Sequence, residues 1–279
     1  MAARFGGRPC RRGARGRPIA LIATARLVVA GSSSSIPRPD RACSSYLVDD
    51  GETPVVFDLG TGALANLRRH ADYDRLAAIV ISHMHADHFI DLIPLRYALR
   101  YGPRRRRGKL PLHLPPGGLA MLRRLVSAFA DEGGEFLSDV YDLHEYDPSV
   151  PLAIDGATLR FAHTEHYIPA FAVRWQRGDV SVTYSADTAP DPRVVALARG
   201  SDVFVCEATL RHGETEPGMR GHCSAADAAR MARDGGVRRL VLTHYGEEST
   251  ARDLDDAARE HFRGDVVVAD DHRAFELGS

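Results

Sequence analysis

Short runs of β-branched and other apolar residues recur along the chain and alternate with stretches of helical periodicity. Glycine, proline and aspartate mark the boundaries between these stretches. The pattern predicts strands at residues 26–30, 44–48, 54–57, 77–81, 158–162, 170–174, 180–184, 203–206, 240–243 and 266–268. Helices are predicted at residues 63–70, 89–100 and 119–131. Because both halves combine strands with helices, we expect two sheets packed together with helices outside, an α/β fold.

Three further helices are predicted from their start signals. Asp191-Pro192 is an N-cap followed by proline at the first helical position, and Gly200 ends that helix. Ser224 with Asp227 and Thr250 with Asp253 form capping-box patterns. These signals indicate helices in the second half of the chain.

Composition indicates a globular protein without a membrane span. Hydrophobic residues make up 44% of the chain, but no apolar run approaches the ~18 residues of a spanning helix. The four cysteines are scattered, without a CxxC pair, which is typical of a reducing compartment, argues against a disulfide framework and gives no zinc-finger signal. We therefore expect a cytoplasmic protein that does not bind membranes.

The net charge of −1 conceals an uneven distribution. Residues 1–26 contain seven arginines and no acidic residue, whereas the rest of the chain carries a net charge of −8. A globally basic surface for nucleic acid is therefore not expected in the body of the protein. Residues 1–25 are predicted to be an Arg-rich, disordered extension, read as an upstream translation start in preference to a phosphate-binding arm or a signal peptide.

One segment concentrates potential metal ligands. An apolar strand is followed directly by His83, His85, Asp87 and His88 within six residues. Imidazole and carboxylate together suit zinc or a similar divalent ion. His83 and His85 alternate, so an extended chain directs both to the same side, whereas Asp87 and His88 lie beyond the turn. The segment therefore predicts a metal site with room for a second ion.

Three later residues follow predicted strands in the same way: His166, Asp187 and His244. A single such residue is more often part of a turn, but three of them beside the first cluster favour a shared site. Loops at one end of two packed sheets can converge on one active site.

These strings are similar to the ligand motifs of the metallo-β-lactamase superfamily. Residues 83–88 resemble its HxHxDH signature, and His166, Asp187 in Ser-Ala-Asp-Thr and His244 in Leu-Thr-His match its later motifs in order. The resemblance implies a four-layer αββα sandwich, with residues 26–279 as a single hydrolase domain. It also implies two Zn²⁺ ions per chain, with Mn²⁺ as the alternative. One ion would be bound by His83, His85 and His166, the other by Asp87, His88 and His244, with Asp187 bridging them.

Two further strings resemble the ribonuclease Z-like branch, which includes actinobacterial proteins described as cyclic-nucleotide phosphodiesterases. They are Cys-Glu-Ala-Thr at 206–209 and Gly-His-Cys-Ser at 221–224, and the resemblance implies that His222 assists phosphodiester cleavage. True ribonuclease Z enzymes carry a long Gly-rich arm that grips tRNA between the motifs matching His166 and Asp187. Only 20 residues separate these positions here, enough for two strands and a hairpin at Gly178-Asp179. The departure favours a smaller substrate than tRNA.

The chemistry expected from this resemblance is phosphodiester hydrolysis. Two ions ~3.5–4 Å apart can hold a bridging water as hydroxide near neutral pH and offset charge on the phosphorane oxygens. Asp87 would orient that water or take its proton, and His222 would be the general acid. The expected substrate is a small nucleotide, cyclic nucleotides included, or RNA. The alternatives are tRNA 3′-processing of the ribonuclease Z type, and thioester or lactone hydrolysis, which does not require His222.

Several assignments stay open at this stage. His163 competes with His166 as a ligand, and Asp58 either orients a ligating histidine or caps a glycine loop. Glu207 is either a buried partner of the site or a strand end. Cys223 is expected to be a buried small side chain and not a nucleophile. A homodimer is also among the expectations.

Overall fold

The computed structural model describes residues 25–130 and 135–278. In this part of the chain the first sheet has the order β14-β1-β2-β3-β4-β5-β6. Its strands are β1 (Arg26–Gly31), β2 (Ser45–Asp49), β3 (Val55–Phe57), β4 (Ala78–Val80), β5 (Leu110–Leu114), β6 (Tyr141–Glu145) and β14 (Ala274–Glu276). The second sheet has the order β13-β12-β11-β10-β9-β8-β7. Its strands are β7 (Leu152–Ile154), β8 (Ala157–His163), β9 (Phe171–Arg177), β10 (Val180–Tyr184), β11 (Val203–Glu207), β12 (Arg239–Thr243) and β13 (Asp265–Val268).

Helices cover the outer face of each sheet. With the first sheet go α1 (Ala63–Leu67), α2 (Ala86–Phe89), α3 (Leu92–Tyr101), α4 (Gly118–Val126) and α5 (Glu135–Ser138). With the second go α6 (Pro192–Ala198), α7 (Ala225–Gly235) and α8 (Ala251–Arg259). None of the described helices combines the length and apolar character needed to cross a bilayer.

Alternation along β1 shows how the layers are built. Leu27 and Val29 belong to the apolar cluster between the two sheets, whereas Val28 and Ala30 belong to the cluster beneath the helices of the first half. All four side chains are fully buried. A third apolar cluster lies between the second sheet and α6–α8. Strands buried on both faces read as continuous apolar runs, which explains the pattern that predicted them. The predicted α/β fold, a four-layer αββα sandwich, is confirmed.

The strands that carry the candidate residues run parallel to their neighbours. β3, β4, β5 and β6 pair in parallel in the first sheet, and β10, β11, β12 and β13 do so in the second. The carboxyl ends of parallel strands meet at one edge of a sheet, where ligand sites of such folds lie. Asp58, His83, Asp187 and His244 all follow strand ends of this kind.

The second-half predictions agree closely with the structure. Asp191 accepts a hydrogen bond from the Arg193 backbone amide at the start of α6. Ser224 and Asp227 form both hydrogen bonds of a capping box at α7, and Thr250 accepts from the Asp253 amide at α8. β9 and β10 form the predicted hairpin, with Gly178 at positive φ in the turn.

Four strands were not predicted. β5 contains proline and histidine, β6 has an exposed polar face at the edge of the sheet, and β7 and β14 have only three residues each. The predicted helix 89–100 is divided between α2 and α3 at residues 90–91. The helix predicted at 119–131 ends at Val126, and Asp131 lies outside the described residues. So does the Arg-rich extension, apart from Ala25, which is buried.

Candidate metal centre

The segment after β4 begins the centre. His83 and His85 follow the strand in extended backbone, and α2 starts immediately afterwards and carries Asp87 and His88. His83 and His88 are fully buried. Gly60 makes this arrangement sterically allowed, because a Cβ at Gly60 would lie 1.9 Å from the Asp87 carbonyl oxygen.

One group of ligand atoms combines the two histidines of this segment with two residues of the second half. The Nδ1 of His85 lies 3.2 Å from Nε2 of His83 and 3.1 Å from Nε2 of His166. The Oδ2 of Asp187 lies 3.7 Å from His83 Nε2 and 3.9 Å from His166 Nε2. Four ligand atoms therefore converge within the size of a metal coordination sphere.

A second group of ligand atoms comes from Asp87, His88 and His244, and Asp187 of the first group lies close to it as well. The Oδ2 of Asp87 lies 3.3 Å from Nε2 of both His88 and His244. Asp187 reaches this group as well, with Oδ2 3.5 Å from His88 and Oδ1 3.6 Å from His244. Asp187 therefore lies between two adjacent sets of candidate ligands and is close to both.

Buried hydrogen bonds hold His88 in place. Its Nδ1 lies 2.7 Å from Oδ2 of Asp58, whose two oxygens also accept from the Ser82 amide, the Ser82 hydroxyl and the Tyr184 hydroxyl. A carboxylate on the far nitrogen fixes the ring and leaves the other nitrogen for an ion. Asp58 therefore orients a candidate ligand, which answers the question left open by the sequence.

Three other histidines have comparable outer partners. His83 Nδ1 lies 3.0 Å from the Ser82 hydroxyl, and His166 Nδ1 donates to the Gly221 carbonyl at 3.0 Å. The Nδ1 of His244 lies 2.9 Å from the Thr209 hydroxyl. Each of these rings therefore presents Nε2 to the interior of the centre.

The electrostatics fit a divalent ion. Burial and the neighbouring His88 hold the pKa of His83 well below its usual range, so His83 is neutral and can act as a ligand. Burial lowers the pKa of His88, but Asp187 and Asp58 outweigh it and raise that pKa well above its usual range. Burial raises the pKa of Asp187, yet His244 and His88 outweigh it and hold this carboxylate ionised. The centre thus favours added positive charge.

Two orphaned atoms support the same conclusion. The Nε2 of His88 and the Oδ1 of Asp187 are buried without a hydrogen-bond partner among the described residues. Leaving a buried polar atom unpaired costs about 1–3 kcal/mol. Both atoms belong to the ligand groups, so binding an ion would satisfy them. The residues present fit a metal centre.

The backbone is strained around the same point. Asp58, Ala186 and His244 have φ values of 55°, 53° and 53°, in the left-handed region that non-glycine residues rarely adopt. Each is a candidate site residue or the immediate neighbour of one. Such strain persists only where surrounding structure holds it, and it is common at functional sites.

His222 lies beside both ligand groups. Its ring centroid is 5.0 Å from that of His166 and 5.9 Å from that of His244. Its Nδ1 lies 2.9 Å from Oε1 of Glu207, which is fully buried. Burial lowers the pKa of His222, but Glu207 more than compensates and, with Asp187 and Glu216, the pKa is raised to about 9. These acidic neighbours therefore favour the protonated form of His222.

Above the ligand groups lies a cavity of about 470 Å³. His85, Asp87, Asp187, His222 and His244 are among the residues that line it. Other walls come from loops at residues 34–36 and 246–248 and from Tyr167. The centre is thus accessible to a small molecule.

The sequence of residues 53–245, well over half of the chain, matches a family profile described as a beta-lactamase superfamily domain. The chain belongs to the metallo-β-lactamase superfamily. An uncharacterized protein of Mycobacterium tuberculosis is 36% identical over 90% of this chain and 92% of the relative. Ribonuclease Z of the same organism is 30% identical over 90% of this chain and 97% of the enzyme. The crystal structure of the metallo-beta-lactamase fold protein YhfI from Bacillus subtilis covers 91% of this chain and 100% of YhfI, with a TM-score of 0.82 at 23% identity.

In this metallo-β-lactamase superfamily member, the fold implies a divalent-metal site and hydrolase activity, and the two groups of histidine and aspartate side chains could hold such an ion. The structure brings together all seven residues predicted as ligands: His83, His85, Asp87, His88, His166, Asp187 and His244. The competing His163 does not join them. It lies exposed at the end of β8 with its ring against Phe171.

Some partners of the centre were not predicted. Tyr184 reaches Asp58 from 126 residues away, and Thr209 reaches His244 from 35 residues away. Hydroxyl residues carry no motif of their own, although both follow or end predicted strands. Cys223 is fully buried in an apolar cluster, and burial raises its pKa well above the usual range, so it remains an unreactive thiol.

Proposed function

We propose that this protein is a metal-dependent phosphodiesterase that hydrolyses a small nucleotide, cyclic nucleotides included, or RNA. One observation carries the proposal. Two ligand groups share Asp187, and His222, hydrogen-bonded to Glu207, lies beside both in one cavity. Phosphodiester hydrolysis develops charge at the attacking and at the leaving oxygen, so a two-ion centre with a separate proton donor suits it.

The distances between the ligand atoms divide the proposed ligands into two sets. His83, His85 and His166 would bind one ion, Asp87, His88 and His244 the other, and Asp187 both. Two divalent ions bound there, zinc being expected and Mn²⁺ the alternative, would supply an activated water near neutral pH and Lewis-acid stabilisation of phosphoryl charge.

The protein's own side chains would move the protons. Asp87 lines the cavity and would orient the attacking water or accept its proton. His222 would donate a proton to the leaving oxygen. Glu207 would hold the His222 ring in the donating orientation, because its Oε1 accepts from Nδ1 and leaves Nε2 free to donate. In this arrangement the base lies on α2 and the acid lies on the loop before α7.

The short region between His166 and Asp187 favours the proposal of a small substrate. β9 and β10 fill it as a hairpin in continuous register from Val180 opposite Arg177 to Tyr184 opposite Val173. That leaves no residues for an arm of the kind that grips tRNA. The 30% identity to a ribonuclease Z nevertheless makes precursor tRNA the competing substrate to test.

A hydrolysis panel on zinc-loaded protein tests the proposal. The substrates are bis(p-nitrophenyl) phosphate, cyclic AMP, a precursor tRNA and a thioester. We expect hydrolysis of both small diesters and a higher kcat/KM for cyclic AMP than for the tRNA, since that ratio measures transition-state discrimination. Faster turnover of the thioester, retained in His222→Ala, would instead identify an acyl hydrolase. A higher kcat/KM on the tRNA precursor would identify a ribonuclease Z activity.

A further inference from the structure

The cavity above the metal centre has apolar walls that no ligand role explains. Tyr167 and Ile36 both line it, and they are 47% and 66% exposed. Isolated exposed apolar residues are ordinary, but two large ones facing the same cavity form a surface for an uncharged part of the substrate.

Tyr167 is held as a rigid wall. Its ring lies against Gly221, where a Cβ would be 2.5 Å from the ring. Its hydroxyl donates to Glu216, and the other oxygen of that carboxylate accepts from the backbone amides of Gly221 and His222. The ring centroid lies 4.9 Å from His166 and 5.6 Å from His222. An aromatic face fixed this close to the centre is suited to stacking on a nucleobase.

The charges around the cavity are the reverse of those expected for a polyanion site. Among the described residues that line it there is no lysine or arginine, whereas the exposed side chains of Glu247 and Glu248 lie at its rim. Arginines on the flanking segments are already paired with carboxylates. These pairs are Arg41 with Asp270, Arg211 with Glu214, and Arg220 with Asp227. Phosphate groups away from the metals would therefore meet the two rim glutamates without a lysine or arginine of the cavity lining to offset their charge.

We propose that the substrate is a nucleotide diester with a single negative charge, an inference that rests on the proposed phosphodiesterase function. Its base packs on Tyr167 and Ile36, and Glu247 and Glu248 disfavour substrates that carry further phosphates. The one phosphate group lies at the metal centre, where the ligand groups favour positive charge. A cyclic mononucleotide or an unphosphorylated dinucleotide meets this description, whereas an RNA chain or a terminally phosphorylated nucleotide does not.

A matched pair of dinucleotides tests the charge selection. Adenylyl-adenosine has one phosphodiester, and its 5′-phosphorylated form adds only a terminal phosphate. At low ionic strength we expect kcat/KM to favour the unphosphorylated form by about threefold to tenfold, as for charges repelling across a partly solvated cavity. The preference should shrink in 0.5 M salt, because salt screens exposed charges.

Substitutions assign that preference to the rim. The double variant Glu247→Gln/Glu248→Gln should lose most of it. The control Glu260→Gln/Glu276→Gln changes net charge equally at exposed positions outside the cavity and should keep it. Equal or better turnover of the phosphorylated form by the natural protein, or an unchanged preference in the rim variant, would overturn the charge selection.

A second series tests the aromatic wall. Tyr167→Leu should raise KM for cyclic AMP by about tenfold, the effect of losing one base-stacking contact, with a smaller change in kcat. Tyr167→Phe keeps the ring and should restore KM. A loss confined to kcat, or no recovery in Tyr167→Phe, would refute base stacking. If the zinc-loaded natural protein fails to hydrolyse bis(p-nitrophenyl) phosphate, the proposed function itself is wrong. Hydrolysis of that ester together with either failure above refutes only the substrate inference.

Discussion

Replacing His222 with alanine separates proton donation from metal binding. His222 is outside the seven proposed ligands, so we expect His222→Ala to keep its ions. Its buried partner Glu207 would lose one hydrogen bond but still accept from the Thr188 amide and from the amide and hydroxyl of Thr209. Because the lost hydrogen bond joins His222 to a buried carboxylate, the loss of folding stability should be about 1.5–3 kcal/mol.

The effect on catalysis should exceed this loss of stability. Loss of a general acid typically lowers the rate by ~10²–10⁴-fold, equivalent to about 3–5 kcal/mol of transition-state stabilisation. The loss should fall on kcat, because the proton is donated in the transition state. It should be smaller for bis(p-nitrophenyl) phosphate than for cyclic AMP, since p-nitrophenolate leaves without a proton.

The assay compares kcat and KM on these two substrates, with elemental analysis of each preparation. His163→Ala is the matched control, because it removes an exposed histidine near the centre that contacts none of the ligands in the described structure. Equal losses on both substrates, or loss of an ion from His222→Ala, would refute the role of His222 as an acid. Its ring lies close enough to Asp187 and His244 that the second result would make it a ligand.

Three further predictions concern the metals, the pH dependence of stability and the N-terminal extension. The purified protein should contain about two zinc-class ions per chain, and Asp187→Ala should lose metal and activity together; an active, metal-free protein would exclude the centre. Burial, with a smaller contribution from His144, lowers the pKa of His113 to about 4. The unfolded chain then binds more protons than the folded one. The free energy of unfolding should therefore fall as the pH is lowered from 6.5 to 4, by at most about 1.4 kcal/mol per pH unit. Denaturant titration should show a shallower fall for His113→Gln, and an unchanged slope would contradict this cause. Removing residues 1–24 should leave metal content and kcat unchanged; a loss on RNA alone that high salt abolishes would indicate a phosphate-binding arm.

Short sequence motifs predicted the residues of the candidate metal centre better than they predicted the strands of the two sheets. His83 to His88 form one continuous motif, and His166, Asp187 and His244 each follow an apolar strand, so adjacent residues carry the signal. The edge strands β6 and β7 were missed because a strand exposed on one side needs little apolar sequence. The outer partners were missed for another reason. Tyr184 and Asp58 meet only because the two sheets pack face to face, a contact that neither sequence segment records. The expected homodimer and cytoplasmic location stay predictions.

The position of β14 determines how the protein could be divided into two fragments. It belongs to the end of the described chain, yet it pairs with β1 at the edge of the first sheet. The connection between β6 and β7 is a turn in which Asp147 accepts from Ser149, and most of its residues are exposed. A single cut there would cross no strand, but it would leave β14 on one fragment and the other six strands of the first sheet on the other. We therefore expect two fragments that meet at residues 147–148 to reassemble by strand complementation. Metal binding that recovers when the fragments are mixed would show that they have associated.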